Sequence, residues 1–536
     1  MLGSANVAVT PGERRGAAPL ALLLVLGVAL ACGFAVYQPW VRTPFGIDDF
    51  SEFLPFLKGN PTFASRLRAM SAYYQQHGRY NIVACVAVIA KWELFGADSR
   101  LWQLARAAQM VAIVPATFAL LRRLGRSTAA SVAGAALLLV GTGASAGWTW
   151  LTTGEPLATL CILLGAYCAL RIRETRNWLP YALAIAVAAA VIVLTKEALV
   201  VLLPFVAIVL VSPPGEREWL PAPAARRRVA LALGVLVVAV ALASVPVALT
   251  LHRARAGGYV SNYNATNVGV RAFLRLLATM LLPIRLETAI APGLRSTALM
   301  GDVLFAVVVL AGWATGLRVA GRRALGWLAA ALWLPASLAL VYLPWPEALD
   351  FYLLPALVGD ALLLAFALDF IRERLPVVHK TAVAASVLAS VAAALVAYQH
   401  ARQAEAKRIV DGEVVAAIAR LGTTTPVVVA QQPASLKPPP NQWMGKGPVL
   451  GRDATVLYGR TLLPVTDVAC AFATDLVRRG VPVVVYSAEC GRAQPPRSVP
   501  LRAYYRYFDV HRAAVAVDSA HAALLLPDPS VHVPAE

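Results

Sequence analysis

Long apolar stretches recur along most of this chain, and polar residues gather between them. An apolar run of about 20 residues is long enough to cross a bilayer as an α-helix. Eleven such runs lie at 17–37, 103–121, 128–147, 154–170, 179–195, 198–212, 229–250, 299–317, 324–343, 351–371 and 381–399. The pattern therefore predicts an all-α polytopic membrane protein with about eleven transmembrane helices.

Basic residues cluster beside alternate ends of these runs. The six clusters contain Arg14 and Arg15; Arg122, Arg123 and Arg126; Arg171, Arg173 and Arg176; Arg226, Arg227 and Arg228; Arg318, Arg322 and Arg323; and Arg372, Arg374 and Lys380. Counting eleven spans puts all six clusters on one face. Because Lys and Arg accumulate in cytoplasmic loops, we expect a cytoplasmic N-terminus and an extracytoplasmic C-terminus.

Composition supports this class and excludes others. Of the 536 residues, 59% are hydrophobic and only 14% are charged, which excludes one large soluble domain and a disordered chain. The net charge of +19 is better explained by cytoplasmic loops and anionic lipid surfaces than by nucleic acid, so no nucleic-acid partner is expected. Ala- and Arg-rich composition favours a GC-rich bacterial genome, and hence a bacterial inner membrane.

Three segments on the expected outer face are too long to be simple turns, namely 38–102, 251–298 and the tail, 401–536. Residues 1–400 then form a transmembrane module, and the tail forms an extracytoplasmic domain. The spans are nearly free of charged residues, and the unusual polar residues collect near the outer ends. Long loops are where function tends to reside.

The first outer segment carries an acidic pair, Asp48-Asp49, soon after the first span. Adjacent carboxylates can act as a base with its orienting partner, or hold a metal ion, although Asp is also common in turns and helix caps. Residues 64–77 then predict an amphipathic helix lying in the membrane interface. Residues 82–95 predict an apolar helix that is too short to cross.

The order of these features resembles the GT-C glycosyltransferases, multi-span enzymes that use polyprenyl-phosphate sugars. The motifs are Asp48-Asp49, Lys91-Trp92-Glu93-Leu94-Phe95-Gly96, Leu194-Thr195-Lys196 and Phe351-Tyr352-Leu353-Leu354-Pro355. Many relatives have His-Pro-Pro before the Lys-aromatic motif, whereas this chain has Gly78-Arg79-Tyr80. The resemblance covers residues 1–400 in topology, and the departure leaves the subfamily and its acceptor class open.

The resemblance implies an inverting transfer of a sugar from a polyprenyl-phosphate donor to a hydroxyl of a glycan, lipid or protein outside the cytoplasm. Asp48 or Asp49 would be the base. Arg79, Lys91 and Lys196 would contact the donor phosphate, although basic residues near span ends also snorkel to the interface. A divalent ion bound by Asp48 and Asp49 stays open as a cofactor, since the chain has no other metal signature.

The second outer segment and the last outer loop supply further candidates for substrate contact. Together with Tyr80 and Tyr352, these are Tyr259, Tyr263, Arg271 and Glu347. Residues 268–283 predict a second interfacial helix, which could cover the lipid-binding cleft or belong to a plain solvated loop.

The tail predicts a small α/β domain. Strands are expected at 426–430 and 481–486 as a parallel pair, with a helix at 467–479 between them. Cys470 and Cys490 could form a disulfide on an oxidising side, whereas Cys32, Cys85, Cys161 and Cys168 are expected to be packing residues. Two rival functions remain, a transporter or flippase of lipid-linked glycans and a membrane glycan polymerase or ligase.

Overall fold

The computed structural model describes residues 13–38, 53–149, 151–211, 223–253, 269–282, 284, 292–343, 353–420, 427–431, 465–469, 483–485, 498–501 and 522–525. The helices are α1 (Glu13–Tyr37), α2 (Leu54–Gly59), α3 (Phe63–Gln76), α4 (Ile82–Phe95), α5 (Ser99–Arg123), α6 (Thr128–Val140), α7 (Thr142–Thr149), α8 (Glu155–Glu174), α9 (Leu179–Thr195), α10 (Leu203–Val211), α11 (Pro223–Arg253), α12 (Val270–Leu281), α13 (Pro292–Ala320), α14 (Arg322–Tyr342), α15 (Ala356–Arg374) and α16 (Pro376–Arg420).

Each of the eleven predicted spans coincides with helical structure. The third is divided at Gly141 into α6 and α7, and the sixth begins as a 3-10 helix, Glu197–Leu202, that continues into α10. Within the described residues, α5, α8, α11, α13, α14 and α16 are long and apolar enough to cross a membrane. Four further apolar stretches of helix are shorter, so the number of crossings stays a prediction.

Small residues allow α15 to lie in the centre of the bundle, where it is buried along almost its whole length. A Cβ atom at Gly316 on α13 would overlap the ring of Phe370 on α15, and Gly134 on α6 lies against the Ala361 carbonyl. Close approach through small residues is typical of helices that associate in lipid, where dispersion contacts replace the hydrophobic effect. These contacts set the spacing of α6, α13 and α15.

One end of the bundle, which we call the basic end, is defined by contacts of arginine side chains. Arg123, at the end of α5, forms an ion pair with Glu174 at the end of α8. Arg126 Nη1 lies 3.6 Å from Asp369 Oδ2 on α15, and Arg228 Nη2 on α11 donates to a main-chain carbonyl of α8. This end brings together four of the six predicted basic clusters.

The opposite end, which we call the loop end, carries the three helices α2, α3 and α4 of the first outer segment. The predicted helices at 64–77 and 82–95 agree with α3 and α4. The expected apolar face of α3 is also present, since Met70 and Tyr74 are buried in a cluster with Leu57, Ile89 and Trp102. The cluster joins α2, α3 and α4 to the first turn of α5, so this segment is packed onto the bundle.

The few charged residues within the predicted spans are buried in the folded bundle, as is Arg173 just beyond the fourth span. Six charged side chains are almost fully buried within helices, namely Arg106, Glu155, Arg173, Asp302, Asp360 and Asp369. A charge is tolerated inside a bundle when it faces other helices and finds polar partners there. Arg173 Nη1, for example, donates to the carbonyls of Leu210 and Val211, both at 3.0 Å. Hydropathy averaged along a span does not reveal such pairing.

The last helix, α16, is much longer than its predicted span of 381–399. Its 45 residues correspond to a length of about 67 Å at 1.5 Å per residue, whereas the apolar core of a bilayer is about 30 Å thick. The sequence prediction that residues 400–421 continue the last span as a helix agrees with this element.

Five strands follow α16: β1 (Val427–Gln431), β2 (Val465–Ala469), β3 (Val483–Val485), β4 (Ser498–Leu501) and β5 (Ala522–Leu525). They form one sheet in the order β2-β1-β3-β5-β4, in which β1 is parallel to β2 and β3, and β5 is antiparallel to β3 and β4. The expected parallel pair corresponds to β1 and β3. A whole α/β domain stays a prediction.

The predicted helix at 467–479 is wrong in its first three residues, which belong to β2. The five residues of β2 pair in parallel with β1, with Val465 opposite Val427. Val and Thr fit a pleated sheet surface, and pairing with β1 overrides the helical pattern that continues further along. Residues 470–479 and both Cys470 and Cys490 lie outside the described residues.

The other four cysteines differ in their surroundings. Cys85 and Cys168 are buried and Cys161 is half-buried, as expected of packing residues, whereas Cys32 is exposed on α1. The position of Cys32 therefore does not match the expected packing role.

Candidate active site at the loop end

A short segment between α7 and α8 accepts hydrogen bonds from two charged side chains, Lys91 and Arg106. The Leu151 carbonyl accepts hydrogen bonds from Lys91 Nζ at 3.1 Å and from Arg106 Nη2 at 2.7 Å. Arg106 Nη2 also donates to the Thr153 carbonyl at 2.9 Å. Because Arg106 is 1% exposed, these charge-assisted bonds form away from water and fix the segment firmly.

Glu155 follows this segment as the first residue of α8 and forms a buried ion pair with Lys196. Lys196 Nζ lies 2.8 Å from Glu155 Oε1, and the two side chains are 12% and 1% exposed. An acidic side chain in the first turn of a helix is favoured by the helix dipole. The pair joins the start of α8 to the end of α9.

Close packing beside the pair brings the two helices together. A Cβ atom at Gly154 would overlap the side chain of Thr195. Glycine at residue 154 therefore permits the contact between the 151–154 segment and the end of α9, which places Lys196 next to Glu155. Thr195 and Lys196 belong to the Leu-Thr-Lys motif that the sequence singles out.

Tyr342 and Arg79 both act on the charge of Lys196. The Lys196 ammonium lies 5.6 Å from the centre of the Tyr342 ring at the end of α14, a distance at which a cation and an aromatic face attract each other. Burial by itself lowers the pKa of the Lys196 ammonium, but the Glu155 carboxylate raises it, and the net pKa lies above its ordinary value of 10.5. The charge of Arg79 opposes this rise, so Arg79 lies within electrostatic range of Lys196.

The turn that carries Arg79 follows α3 and has a defined shape. Gly78 adopts a positive φ of 77°, a conformation that glycine takes at little cost. Gly78 N–H donates to the Gln75 carbonyl at 3.0 Å, and Arg79 N–H donates to the Tyr74 carbonyl at 2.8 Å. These bonds end α3 in the manner of a helix C-cap. Tyr80 then packs against the large core cluster of the bundle, so the turn is held at the bundle surface.

The helix α4 is tied to the same assembly by Arg66 on α3. Arg66 forms an ion pair with Glu93 of the Lys-Trp-Glu-Leu-Phe-Gly motif, and Arg66 Nε donates to the Leu57 carbonyl at 2.9 Å. Lys91, from the same motif, also lies 5.7 Å from the centre of the Trp102 ring. The described contacts of Lys91 are thus with protein groups, which supports a positioning role for its ammonium.

The predicted site residues lie in several places. Lys196 lies within electrostatic range of Arg79, Tyr80 packs on the large core cluster, and Lys91 lies beside the 151–154 segment. Arg271 is exposed on α12, whose Phe273, Leu276 and Leu277 pack on the bundle. Outside the described residues lie Asp48, Asp49, Tyr259, Tyr263, Glu347 and Tyr352.

Sequence reasoning missed Glu155 and Arg106. Glu155 was counted within the fourth span, although the Gly-Glu-Pro sequence at 154–156 is a signal for the first turn of a helix. Arg106 was counted within the second span, where one arginine among apolar residues marks a buried polar contact. The Gly-Glu-Pro sequence and the lone arginine each indicate a charge with a functional or structural role. Neither feature shows which residue that charge contacts.

The part of the chain described by the structure contains no group of three or more His, Cys, Asp or Glu side chains placed to hold a metal ion. The expectation of a divalent ion at Asp48 and Asp49 lies outside that part and stays open.

Several solved structures are similar to this chain. ArnT from Cupriavidus metallidurans bound to undecaprenyl phosphate is 16% identical with a TM-score of 0.48, and the alignment covers 96% of this chain and 99% of that chain. The oligosaccharyltransferase of Archaeoglobus fulgidus in the apo form is 12% identical with a TM-score of 0.46, covering 84% of this chain and 64% of that chain. The arabinofuranosyltransferase AftD from Mycobacteria is 17% identical with a TM-score of 0.45, covering 87% and 35%.

No model of a known protein family matches the chain, and no curated protein matches it. Identities of 12–17% and TM-scores below 0.5 leave the activity to be argued from the residues of this chain.

Proposed function

We propose that this protein is an integral-membrane glycosyltransferase that moves a sugar from a polyprenyl-phosphate donor to a hydroxyl group on the non-cytoplasmic face of the membrane. The observation that carries the proposal is the position of Lys196 at the loop end, beside Glu155 and Tyr342 and within electrostatic range of Arg79. A guanidinium and an ammonium at the edge of an apolar bundle suit a phosphate whose lipid chain remains in the membrane.

The charges of this cluster are arranged for an anion. Lys196 is paired with Glu155, and Arg79 adds a second positive charge within electrostatic range, an arrangement that suits an anion. During transfer, negative charge builds on the departing phosphate as the bond to the anomeric carbon breaks. Fixed cations next to those oxygens stabilise that charge in the transition state more than in the ground state.

The base in this proposal is Asp48 or Asp49, as the motif order implies. The carboxylate removes the proton of the acceptor hydroxyl while that oxygen attacks the anomeric carbon from the side opposite the phosphate, so the configuration is inverted. Both residues precede α2, and α2 is packed against α3 through the cluster of Leu57 and Met70. In the sequence, the acidic pair precedes this packed helix by only a few residues.

The remaining charged residues of the loop end have positioning roles in this account. Arg106 and Lys91 hold the Leu151 carbonyl, and the segment they hold leads directly into Glu155. The further candidates for substrate contact are those predicted from the sequence: Tyr80, Tyr259, Tyr263, Arg271, Glu347 and Tyr352.

We infer the location from the charges at the two ends of the bundle. The basic end faces the cytoplasm, because it gathers arginine clusters that cytoplasmic loops accumulate. The loop end and the strands after α16 then lie outside, in the periplasm if the membrane is a bacterial inner membrane. Partners are the lipid-linked donor, a glycan, lipid or protein acceptor, and membrane lipids.

A flippase or transporter of lipid-linked glycans is the second candidate, and one observation favours it. The acids Asp302 and Asp360 are buried within α13 and α15, and intramembrane acids often mark transport pathways. A polymerase or ligase that joins whole glycans is the third reading, and it would require a diphosphate-linked donor.

The test uses purified protein in lipid nanodiscs with a panel of polyprenyl-phosphate sugars, measuring donor consumption with and without acceptor hydroxyls. We expect one donor to be consumed, and Asp48→Asn or Asp49→Asn to abolish consumption. The matched control is Asp98→Asn, since Asp98 only caps α5 by accepting from Arg100 N–H at 2.9 Å, and asparagine also caps helices well. Full activity in both Asp48→Asn and Asp49→Asn variants would refute the assignment of the base.

A further inference from the structure

The apolar side of α12 is wider than the surface of the bundle that covers it. Four side chains on this helix pack into or against the large core cluster, namely Phe273, Leu276, Leu277 and Met280. Val270 and Leu274 continue the apolar side along one flank, but they are 77% and 56% exposed. The bundle therefore leaves an apolar strip of α12, formed by Val270 and Leu274, uncovered.

Two arginines lie beside this apolar strip. Arg271 and Arg275 are both exposed, and the sequence of α12 contains no acidic residue. With 3.6 residues per turn, the two arginines lie roughly opposite the side of α12 that packs on the bundle, and the apolar strip lies between the two sides. Around the helix axis the order is thus the bundle, the exposed apolar strip and the positive charges.

The chain that follows α12 is fixed among the membrane spans. Ile284 N–H donates to Asp302 Oδ1 on α13 at 2.9 Å, and the Ile284 side chain is fully buried. A Cβ atom at Gly301 on α13 would overlap both the Ile284 side chain and Ala392 on α16. Gly301 and Ala392 each lie about two turns inside the loop-end limit of an apolar span. This anchor places α12 near the level where those spans leave the apolar core of a bilayer.

We propose that α12 binds anionic phospholipids of the membrane leaflet at the loop end. Val270 and Leu274 lie against the acyl chains, and Arg271 and Arg275 bind the headgroup phosphates, whose oxygens match the fork of a guanidinium. A basic amphipathic helix in the interface gains both from the apolar area it buries and from attraction to anionic lipids. The proposal does not depend on the proposed transfer.

The charges of α12 favour an anionic phospholipid over other occupants of the strip. A neutral lipid would cover Val270 and Leu274 but leave the two positive charges unbalanced. A second copy of the chain docked through the same face would bring its own arginines against Arg271 and Arg275, and such juxtaposition of like charges is costly. Near an anionic membrane surface, each arginine strengthens binding about fivefold.

The test measures lipid binding to the full-length protein. Protein purified in detergent is titrated with phosphatidylglycerol or phosphatidylcholine, and the bound lipids are counted by native mass spectrometry. We expect tighter binding of phosphatidylglycerol, weakened about fivefold for each arginine removed in Arg271→Gln/Arg275→Gln. Arg271→Lys/Arg275→Lys should keep most of this preference, because lysine retains the charge. All these side chains are exposed, so the variants preserve the packing of α12.

The matched control is Arg253→Gln/Arg295→Gln, which removes two other exposed arginines at the loop end, from the end of α11 and the first turn of α13. This variant is expected to bind phosphatidylglycerol as the wild type does. Leu274→Gln leaves the charges in place and should weaken binding, since the strip loses apolar area.

Two results would overturn the proposal. The first is an affinity for phosphatidylglycerol that Arg271→Gln/Arg275→Gln leaves unchanged or reduces no more than the matched control does. The second is displacement of phosphatidylglycerol by equimolar undecaprenyl phosphate in the wild type but not in Arg271→Gln/Arg275→Gln. That displacement would make α12 part of a donor site, in which Arg271 contacts substrate, and would remove the bilayer phospholipid as its partner.

Discussion

Breaking the ion pair between Glu155 and Lys196 has a stability cost that the structure allows to be estimated. In Lys196→Met, the Glu155 carboxylate, which is 1% exposed, loses its partner at 2.8 Å. Removing one member of a buried pair leaves an uncompensated charge and costs about 3–5 kcal/mol. In Glu155→Gln the cost is smaller, because the Lys196 side chain is 12% exposed and its ammonium can be reached by water.

The assay is a double-mutant cycle on protein in detergent, with free energies of unfolding from denaturant titration. We expect the Glu155→Gln/Lys196→Met double variant to be at least about 1 kcal/mol more stable than the sum of the single effects predicts, since no buried charge remains. Donor binding is expected to fall in both variants that lack Lys196. Single variants as stable as the wild type, with additive effects in the double variant, would refute the reasoning that this pair is buried and coupled.

Three other substitutions or conditions test the loop end. Gly154→Ala should lower the affinity for the donor in a binding titration, because the new Cβ atom displaces Thr195. Adding Thr195→Ser should restore the affinity, because serine lacks the methyl group that the new Cβ atom would meet. Arg106→Met should lower the free energy of unfolding, measured with denaturant, by about 3 kcal/mol, because two carbonyls lose a charged donor. Lys91→Met should lower it by only about 1 kcal/mol. Equal losses of stability would contradict the assigned contacts. The pKa of Lys196 is raised above 10.5 in the folded protein. The stabilisation that the charged Lys196 provides is therefore present below pH 10.5 and is lost only as the pH rises through the folded-state pKa. The difference in melting temperature between the wild type and Lys196→Met should accordingly stay constant from about pH 7 to about pH 10.

The helices were predictable from the sequence because their signal is local. The span predicted at 179–195 has the same bounds as α9, and the loop helix predicted at 82–95 has the same bounds as α4. An apolar run ended by Lys196 or Gly96 specifies its own limits, since the helix must stop where polar residues begin. The tail shows the limit of local signals, because pairing with β1 makes residues 467–469 a strand.

The charged contacts of the site could not be predicted, because each joins residues that are distant in sequence. Glu155 and Arg106 each stand in an apolar span, and nothing in the neighbouring residues indicates that one meets Lys196 and the other meets the Leu151 carbonyl. Hydropathy treats every charge in a span as a cost, whereas the folded bundle offsets that cost with a partner from another helix. The motif residues Arg79 and Lys196 were identified, but the electrostatic interaction between them follows only from the fold.

The most direct test of the central claim is the binding of lipid carriers to purified protein in nanodiscs. Undecaprenyl phosphate and undecaprenyl diphosphate would be compared by titration against the wild type, Arg79→Gln and Lys196→Met. The account predicts tighter binding of the monophosphate, with affinity reduced about tenfold or more by either substitution, as expected for loss of a charged hydrogen bond of about 1.5–3 kcal/mol. Preference for the diphosphate, or monophosphate binding that neither substitution weakens, would contradict the account and favour a flippase or ligase of lipid-linked glycans.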